Sequence, residues 1–165
     1  MEAKAKLLGH PIHQMLIPLP LGVLSISLVF DLIALALGWP RLHDAAFLMI
    51  AAGVISGLVA AVFGLIDFLA IPNGTRAKRV GRVHGIGNVV VVALFAASWY
   101  LRRDDPVRPE MLAIVLSAVA AALAGVTGWL GGELVGRLSV GVDDGAHVDA
   151  PSSLHGPAGR AAARS

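Results

Sequence analysis

The sequence predicts an all-α integral membrane protein, an up-down four-helix bundle, with a pattern that suggests a duplicated two-helix hairpin. Two observations lead to this fold. Hydrophobic residues make up 56% of the chain and charged residues only 15%, whereas about a quarter of a soluble domain is charged. The charged residues also leave four long windows almost free, and each window can span a hydrocarbon core of roughly 30 Å.

The spans are separated by connections that are rich in charge, proline or glycine. The predicted spans cover about residues 15–38, 45–70, 84–101 and 111–132. The connection between the second and third spans, residues 72–83, is strongly basic and is predicted to be a loop. Residues 1–142 form the predicted transmembrane domain. Residues 143–165 are rich in Asp, Ser, Pro and Gly, a composition that predicts a flexible cytoplasmic tail.

Basic residues predict the orientation in the membrane. Four spans place both termini on one side. Lys and Arg number seven beside the termini and the second connection, against four in the other two connections. The seven are Lys4, Lys6, Arg76, Lys78, Arg79, Arg82 and Arg137, and the four are Arg41, Arg102, Arg103 and Arg108. Because cytoplasmic segments carry the excess of Lys and Arg, both termini are predicted to be cytoplasmic, with the chain in the inner cell membrane.

Composition also excludes several classes of function. The chain has no cysteine, so it cannot by itself form a disulfide, an iron–sulfur cluster or a cysteine nucleophile. Its isoelectric point is near 9.5, but its basic residues form no face backed by soluble packing, and a nucleic-acid partner is not expected. No complete catalytic set is recognisable, so the chain is not predicted to be an enzyme. The expected partner of the spans is the lipid bilayer.

Small residues form stripes along the second and fourth spans. The second span carries Gly53, Gly57, Ala60, Ala61 and Gly64, and the fourth carries Ala120, Ala124, Gly128 and Gly132. Membrane helices approach closely over such residues. The stripes therefore predict helix–helix seams, either within the chain or against a second copy in a homo-oligomer. A smooth groove for a flat cofactor is the alternative.

The two halves of the chain place similar residues at similar points. A histidine opens the first and third spans, and a carboxylate closes the second and fourth. The histidines are His13 and His84, and the carboxylates are Asp67 and Glu133. A duplicated hairpin would produce this pattern, as a parallel repeat about an axis along the membrane normal. With His10 beside the first span, five ionisable side chains are predicted at one membrane face.

Two kinds of ligand suit this polar site. Haem b needs two histidines at the same depth, and the first and third helices of an up-down bundle are diagonal partners. His13 and His84 are therefore the candidate haem ligands, with Asn88 one turn from His84 on the same helix face. Histidines and carboxylates also suit zinc, iron or manganese, and the same groups can relay protons. The candidate metal ligands are His10, His13, Asp67, His84 and Glu133.

Other polar residues are expected to have different roles. Asp31 lies about 27 Å further along the first helix than His13, so it is predicted near the other membrane face. Three histidines are expected in loops or the tail, without partners: His43, His147 and His155. Each residue of the polar site could also simply hold helices together, in which case the chain is a structural membrane subunit.

Four short segments are typical of a known family. They are Gly9-His10-Pro11-Ile12-His13, Gly64-Leu65-Ile66-Asp67, His84-Gly85 with Asn88, and Gly131-Gly132-Glu133-Leu134-Val135. Over roughly residues 7–143 the chain resembles a bacterial family of four-helix membrane proteins that is classed as a domain of unknown function. In some members this domain is joined to a Rieske iron–sulfur module, which implies a redox partner protein. Because this chain has no cysteine, such a partner would be a separate chain.

The expected function is that of a non-enzymatic multi-pass membrane protein with a cytoplasmic-side histidine and carboxylate site. The leading hypothesis is a haem- or metal-binding accessory to electron transfer. A small ion or proton transport or relay protein is the alternative, and a purely structural membrane subunit is the third. The chain departs from the family pattern at position 133, which is often histidine in the family and is glutamate here. A site that needs a softer ligand at this position is thereby disfavoured.

Overall fold

The structure, a computed structural model, describes residues 1–155. Its helices confirm the predicted all-α fold. They are α1 (Ile12–Leu16), α2 (Pro18–Leu37), α3 (Arg41–Ala70), α4 (Arg76–Arg102) and α5 (Met111–Gly136). Four stretches are long and apolar enough to cross a membrane: Ile12–Leu37, Arg41–Ala70, Arg76–Arg102 and Met111–Gly136.

Helices α1 and α2 together form the first span. Ile17 joins them with helical backbone angles, φ −55° and ψ −37°, and its N–H donates to the carbonyl of His13 at 3.1 Å. Pro18 then begins α2, a position that suits proline because the first N–H groups of a helix have no partner within it. The first span is therefore a helix with a single break at Ile17, and it continues past Pro18 and Pro20.

The four spans pack as an up-down bundle. Helix α2 packs mainly against α3, and α4 mainly against α5, so each hairpin is a unit. Contacts of α3 with α4 and of α2 with α5 close the ring, which leaves α2 and α4 diagonal across the bundle. A small apolar core around Leu24, Ile50 and Phe95 lies between the helices. Most other large apolar side chains face outward, as expected for a bundle whose solvent is lipid.

The two hairpins bury equivalent positions. Buried Asp31 of α2 is followed 71 residues later by buried Arg102 of α4. The same spacing relates Leu24 to Phe95 and Ser27 to Ser98, and all four are buried. In the second helix of each hairpin the spacing is 67, and it relates buried Ala46 to Ala113 and Ile50 to Ser117. Both hairpins therefore present the same face to the bundle axis, the arrangement expected of a parallel repeat.

Helix α4 begins earlier than the sequence pattern indicates. Residues 76–83 are helical, so the prediction of a loop over 72–83 is wrong for most of its length. The hydroxyl oxygen of Thr75 accepts a hydrogen bond from the backbone N–H of Lys78 at 3.1 Å and thereby caps the helix. The basic residues of this region consequently lie on the first turns of α4 instead of in a connection.

Both ends of the described chain meet at one end of the bundle, which we call the terminal face. Strands β1 (Lys6–Leu7) and β2 (His10–Pro11) form a small antiparallel hairpin within residues 1–11, the N-terminal strap. The N–H of Gly141 donates to the carbonyl of Met1 at 2.9 Å. The N-terminus therefore lies beside the end of α5. We call the opposite end of the bundle the far face.

The predicted tail is described only as far as residue 155. Asp143 accepts a hydrogen bond from the Lys6 ammonium at 2.5 Å, and the Ser153 hydroxyl lies 3.2 Å from Nε2 of His10. This first part of residues 143–165 therefore lies against the N-terminal strap. Residues 156–165 are outside the described part, and a flexible tail stays a prediction.

Candidate functional site

His13 is held against the second helix of its own hairpin. Its Nδ1 lies 2.8 Å from the carbonyl oxygen of Ala60 in α3. One turn later, Gly64 leaves room for the imidazole, since a Cβ at this position would come within 2.7 Å of the ring carbon Cε1. The small residues of α3 thus do more than form a helix seam, because one of them makes the space that His13 occupies.

His84 occupies the equivalent position in the second hairpin, 71 residues after His13. Its Nδ1 lies 2.9 Å from the carbonyl oxygen of Thr127 in α5. A glycine again follows one turn later, Gly131, where a Cβ would lie 3.2 Å from Cε1 of His84. The structure therefore repeats the same histidine–carbonyl–glycine arrangement in both hairpins.

These contacts select the tautomer that each ring adopts when it is neutral. A backbone carbonyl can only accept a hydrogen bond, so the proton of a neutral imidazole must be on Nδ1. The lone pair is then on Nε2, the nitrogen that can bind a metal or a haem iron. Metal-binding histidines in proteins commonly donate their second ring N–H to a carbonyl or a carboxylate in this way. The contacts of His13 and His84 therefore favour the Nδ1–H tautomer of each neutral ring, the tautomer in which Nε2 can coordinate.

Asn88 makes the second hairpin more polar than the first. Its Oδ1 accepts a hydrogen bond from the Thr127 hydroxyl at 3.0 Å, and its Nδ2 donates to the His84 carbonyl at 2.9 Å. The same Nδ2 lies 3.2 Å from Nε2 of His84. The first hairpin has Ile17 and Ala60 at the corresponding positions. The two histidine sites are thus equivalent in backbone and different in polarity.

The other three predicted site residues have separate partners. The Asp67 carboxylate accepts hydrogen bonds from the backbone N–H groups of Lys4 at 2.7 Å and Ala5 at 3.1 Å, and so holds the N-terminal strap on α3. Glu133 forms an ion pair with Arg76 at 2.6 Å, which joins α5 to the start of α4.

The third of these residues, His10, lies in β2 of the strap beside Ser153. Across residues 1–155, no three histidine or acidic side chains are placed so that they could hold a metal ion. A metal centre made of His10, His13, Asp67, His84 and Glu133 therefore gains no support and stays a prediction. The contacts of Asp67 and Glu133 instead join segments of the chain at the terminal face: Asp67 holds the strap on α3, and Glu133 joins α5 to α4.

A second polar site lies near the far face, where Asp31 was predicted. Arg102 of α4 binds the Asp31 carboxylate with two parallel hydrogen bonds, Nη1 to Oδ1 and Nη2 to Oδ2, both of 2.8 Å. Both side chains are completely buried. Such a bidentate pair has the best geometry available to a guanidinium and a carboxylate. It cancels two charges that would be very costly within a membrane if either stood alone.

Serines of α4 and α5 complete the contacts of the guanidinium. Its Nε donates to the Ser98 hydroxyl at 3.1 Å, and Nη2 lies 3.3 Å from the Ser117 hydroxyl. The Ser98 hydroxyl in turn donates to the carbonyl of Ala113 at 2.7 Å. The pair thereby connects α2, α4 and α5 through fully hydrogen-bonded polar groups, as a buried polar network requires.

His43 brings α3 into the same network. Its Nδ1 lies 2.7 Å from Oδ1 of Asp31, and the residue is only 6% exposed. The prediction that His43 lies in a loop without a partner is therefore wrong, because α3 begins at Arg41 and carries His43 inward on its first turn. Arg102 was likewise predicted in a connection, and it is the last residue of α4. We call Asp31, His43, Arg102, Ser98 and Ser117 the buried polar cluster.

One sequence signal could have located this cluster. A buried Asp at membrane depth needs a partner, and the residue 71 positions further on, the spacing that relates His13 to His84, is an arginine. A search of the repeat for complementary charges would have found the pair. The position of His43 has no comparable signal, because it depends on where α3 begins.

Comparison of the sequence with known protein families finds one match. The family described as "Predicted membrane protein (DUF2231)" matches residues 9–144. The chain belongs to this DUF2231 family. The match confirms the predicted resemblance, and its range includes both histidine sites and the whole buried polar cluster. Comparisons with curated proteins and with solved structures find no match.

Proposed function

We propose that this DUF2231 protein binds haem b, or a divalent metal, through Nε2 of His13 and Nε2 of His84, as an accessory to electron transfer. One observation carries the proposal. Both histidines donate Nδ1–H to a backbone carbonyl, of Ala60 in one hairpin and of Thr127 in the other. This bond orients each ring and leaves Nε2 as the coordinating atom. Two equivalent histidines on the diagonal helices of a bundle suit a ligand that lies on the axis between them.

Haem suits these residues better than a small metal ion does. A six-coordinate haem iron takes only two protein ligands, whereas structural zinc usually takes four. Within residues 1–155, no group of three or more histidine and acidic side chains offers a set for zinc or a similar ion. The basic residues of α4 at the terminal face, Arg79 and Arg82 among them, are suitable partners for haem propionates.

The protein's own residues would tune such a group. A bound haem supplies one-electron chemistry. Donation of Nδ1–H to a carbonyl makes each imidazole a stronger donor, and Asn88 and Thr127 add polarity only on the His84 side. An electron would leave or enter through a redox partner, since residues 1–165 contain no cysteine for an iron–sulfur cluster.

The visible absorption spectrum of the detergent-purified protein tests this proposal. We expect a Soret band that is lost in His13→Ala and in His84→Ala and is unchanged in His147→Ala, an exposed histidine at the terminal face. Absence of the band, with stoichiometric metal by elemental analysis, would identify an ion site instead. If neither haem nor metal is present and both alanine variants fold normally, the histidines serve only as structural contacts between helices.

For the location we propose the inner cell membrane, with both termini in the cytoplasm. The excess of Lys and Arg at the terminal face supports this orientation, since seven lie there against four at the far face.

Single-cysteine labelling tests this orientation, and the chain has no cysteine that must first be removed. A membrane-impermeant maleimide should label Arg108→Cys in intact spheroplasts and should label Lys4→Cys only after lysis. The reverse pattern would overturn the orientation without affecting the haem proposal.

A further inference from the structure

A depression in the far face lies beside the buried polar cluster. Its volume is about 360 Å³, and its walls come from the end of α2, the start of α3 and the connection between α4 and α5. Gly38 ends α2 in the left-handed conformation, with φ +67°, and the chain turns there towards α3. Within residues 1–155, two ionisable side chains line the depression, those of His43 and Arg108, and no acidic side chain does.

His43 has one ring nitrogen without a partner. Its Nδ1 lies 2.7 Å from Oδ1 of Asp31, and a carboxylate can only accept, so Nδ1 carries the proton of the neutral ring. Nε2 then holds a lone pair, and it makes no hydrogen bond to any residue from 1 to 155. In that part of the chain, the only fully enclosed side-chain nitrogen or oxygen without a partner is Nε1 of Trp99. Nε2 of His43 is therefore not enclosed, and it reaches the surface at the depression that His43 lines.

Arg108 supplies an unpaired positive charge at the same depression. Its side chain is exposed and forms no hydrogen bond or ion pair with any residue of the range 1–155. Its backbone N–H donates to the Asp105 carboxylate at 3.2 Å, within the connection that carries it. Arg103 in the same connection is by contrast paired with Asp104. Because a guanidinium binds oxyanions through charge-assisted hydrogen bonds, Arg108 is available to an anion from the water.

We propose that the depression binds a small oxyanion that still carries an O–H group, such as hydrogen phosphate. The O–H of the ligand donates to Nε2 of His43, and its charged oxygens accept hydrogen bonds from Arg108. The site is independent of the proposed haem site, because His43 lies near the far face and the haem ligands lie near the terminal face.

The acceptor at Nε2 makes the site selective among anions. A lone pair attracts an O–H group and repels an oxygen that has no proton. Sulfate has no O–H at neutral pH, and the phosphodiester of a lipid headgroup has none either, whereas hydrogen phosphate has one. A metal cation is disfavoured, because Arg108 repels it and His43 is the only side-chain ligand within residues 1–155 that the depression offers.

Phosphorus-31 NMR of inorganic phosphate tests the site, with the full chain in a maltoside detergent that contains no phosphorus. At about pH 8.5, above the range in which the charge of histidine normally changes, we expect the phosphate line to broaden when protein is added. Sulfate and dimethyl phosphate should displace phosphate only at concentrations at least about tenfold higher, because neither can donate to Nε2.

Arginine variants locate the bound phosphate. Arg108→Gln should weaken phosphate binding by about tenfold, because it removes a hydrogen bond to a charged group. Two matched controls should leave binding unchanged: Arg103→Gln at the same face and Arg79→Gln at the terminal face. All three arginines are exposed and lie outside the buried polar cluster, so the variants should fold.

Three results would overturn the inference. Equal displacement by sulfate would show that no O–H donates to Nε2 of His43. Absence of broadening would show that phosphate does not bind. A loss of binding in Arg79→Gln, with Arg108→Gln unchanged, would assign the phosphate to the basic terminal face. None of these results bears on the Soret band, so the haem proposal is tested separately.

Discussion

The two ends of the bundle use polar residues in opposite ways. At the terminal face, five predicted site residues contact five different places, among them the carbonyls of Ala60 and Thr127 and the N–H groups of Lys4 and Ala5. At the far face, two ionisable side chains, those of His43 and Arg102, converge on the carboxylate of Asp31. In the first arrangement, Nε2 of His13 has no hydrogen-bond partner among residues 1–155, whereas Nε2 of His84 lies 3.2 Å from Nδ2 of Asn88. In the second arrangement, the charges of Asp31 and Arg102 cancel each other within the chain.

The difference follows from depth and symmetry. Asp31 and Arg102 occupy equivalent positions in the two hairpins, and equivalent positions in a parallel repeat meet near the central axis. Opposite charges there cancel, which permits complete burial. His13 and His84 are also equivalent, but identical side chains cannot neutralise or hydrogen-bond each other in the same way. Each instead contacts a backbone carbonyl of its own hairpin, that of Ala60 or that of Thr127.

The largest expected effect comes from removing one charge of the buried pair. Arg102→Met leaves the Asp31 charge without its partner in a completely buried place. The free energy of unfolding should fall by about 3–5 kcal/mol. Unfolding in mixed micelles with increasing SDS, followed by circular dichroism, measures it.

The next residue supplies a matched control. Arg103 is about half exposed and pairs with Asp104 at 3.4 Å on the surface. Arg103→Met should therefore cost less than about 1 kcal/mol. Equal losses for the two variants would show that the far-face pair is no more important than a surface ion pair.

A second prediction compares glycines at the terminal face. Gly64→Ala places a methyl group 2.7 Å from the His13 ring, so the ring must move away from the Ala60 carbonyl. Such overpacking should cost about 1–3 kcal/mol. It should also weaken the Soret band expected for the haem-bound protein.

Gly128→Ala is the control for this effect. Position 128 has open space around the added Cβ, and the alanine should leave stability and spectrum nearly unchanged. A similar loss in both variants would mean that helix packing in general, and not the His13 pocket, is sensitive to these substitutions.

A third prediction concerns the attachment of the N-terminal strap. Asp67→Ala removes the acceptor of two backbone N–H groups at the edge of the bundle. The cost should be about 1 kcal/mol, because these groups can turn to water. Amide hydrogen exchange should accelerate at Lys4 and Ala5, with protection in the middle of α3 retained. Unchanged exchange at both amides would show that other contacts hold the strap.

The smallest effect is expected at Lys6. Hydrogen bonds to Asp143 and Glu2 raise the pKa of the Lys6 ammonium above its usual 10.5. Its contribution to stability is therefore fully present below pH 10.5 and is lost as the pH rises through the raised pKa of the folded state. Lys6→Gln should lower stability at neutral pH by less than about 1 kcal/mol.

The pH dependence distinguishes this pair from general surface charge. The free energy of unfolding in mixed micelles should differ between Lys6→Gln and the unmodified chain at neutral pH. This difference should disappear in strongly alkaline solution. Lys4→Gln is the matched control, since the Lys4 side chain makes no ion pair with any residue from 1 to 155. A difference that persists above the raised pKa would assign the effect to packing of the Lys6 stem.

Local sequence was sufficient to predict the fold and the equivalent positions of His13 and His84, but not the buried polar cluster. The four spans follow from apolar length alone, and the family segments place His13 and His84 at equivalent points. The start of α4 is predicted too far along the chain because its first turns are basic and do not look like a membrane span. These turns are nevertheless helical, and the Thr75 side chain caps them. The sequence pattern does not indicate the burial of His43 for a related reason, because its neighbours Arg41 and Asp44 are charged and a connection precedes it.

Sequence by itself determined that this chain has four stretches apolar and long enough to cross a membrane, because burial in lipid requires long apolar runs that are visible residue by residue. It also determined that two histidines, His13 and His84, lie at equivalent points of the two hairpins. Only the tertiary structure decided what each polar group contacts. The Ala60 and Thr127 carbonyls are backbone groups that no side-chain pattern can indicate. The pairing of Asp31 with Arg102 depends on two hairpins meeting about a shared axis. The partners of a buried charge are set by such long-range packing, and a search of neighbouring residues does not reach them.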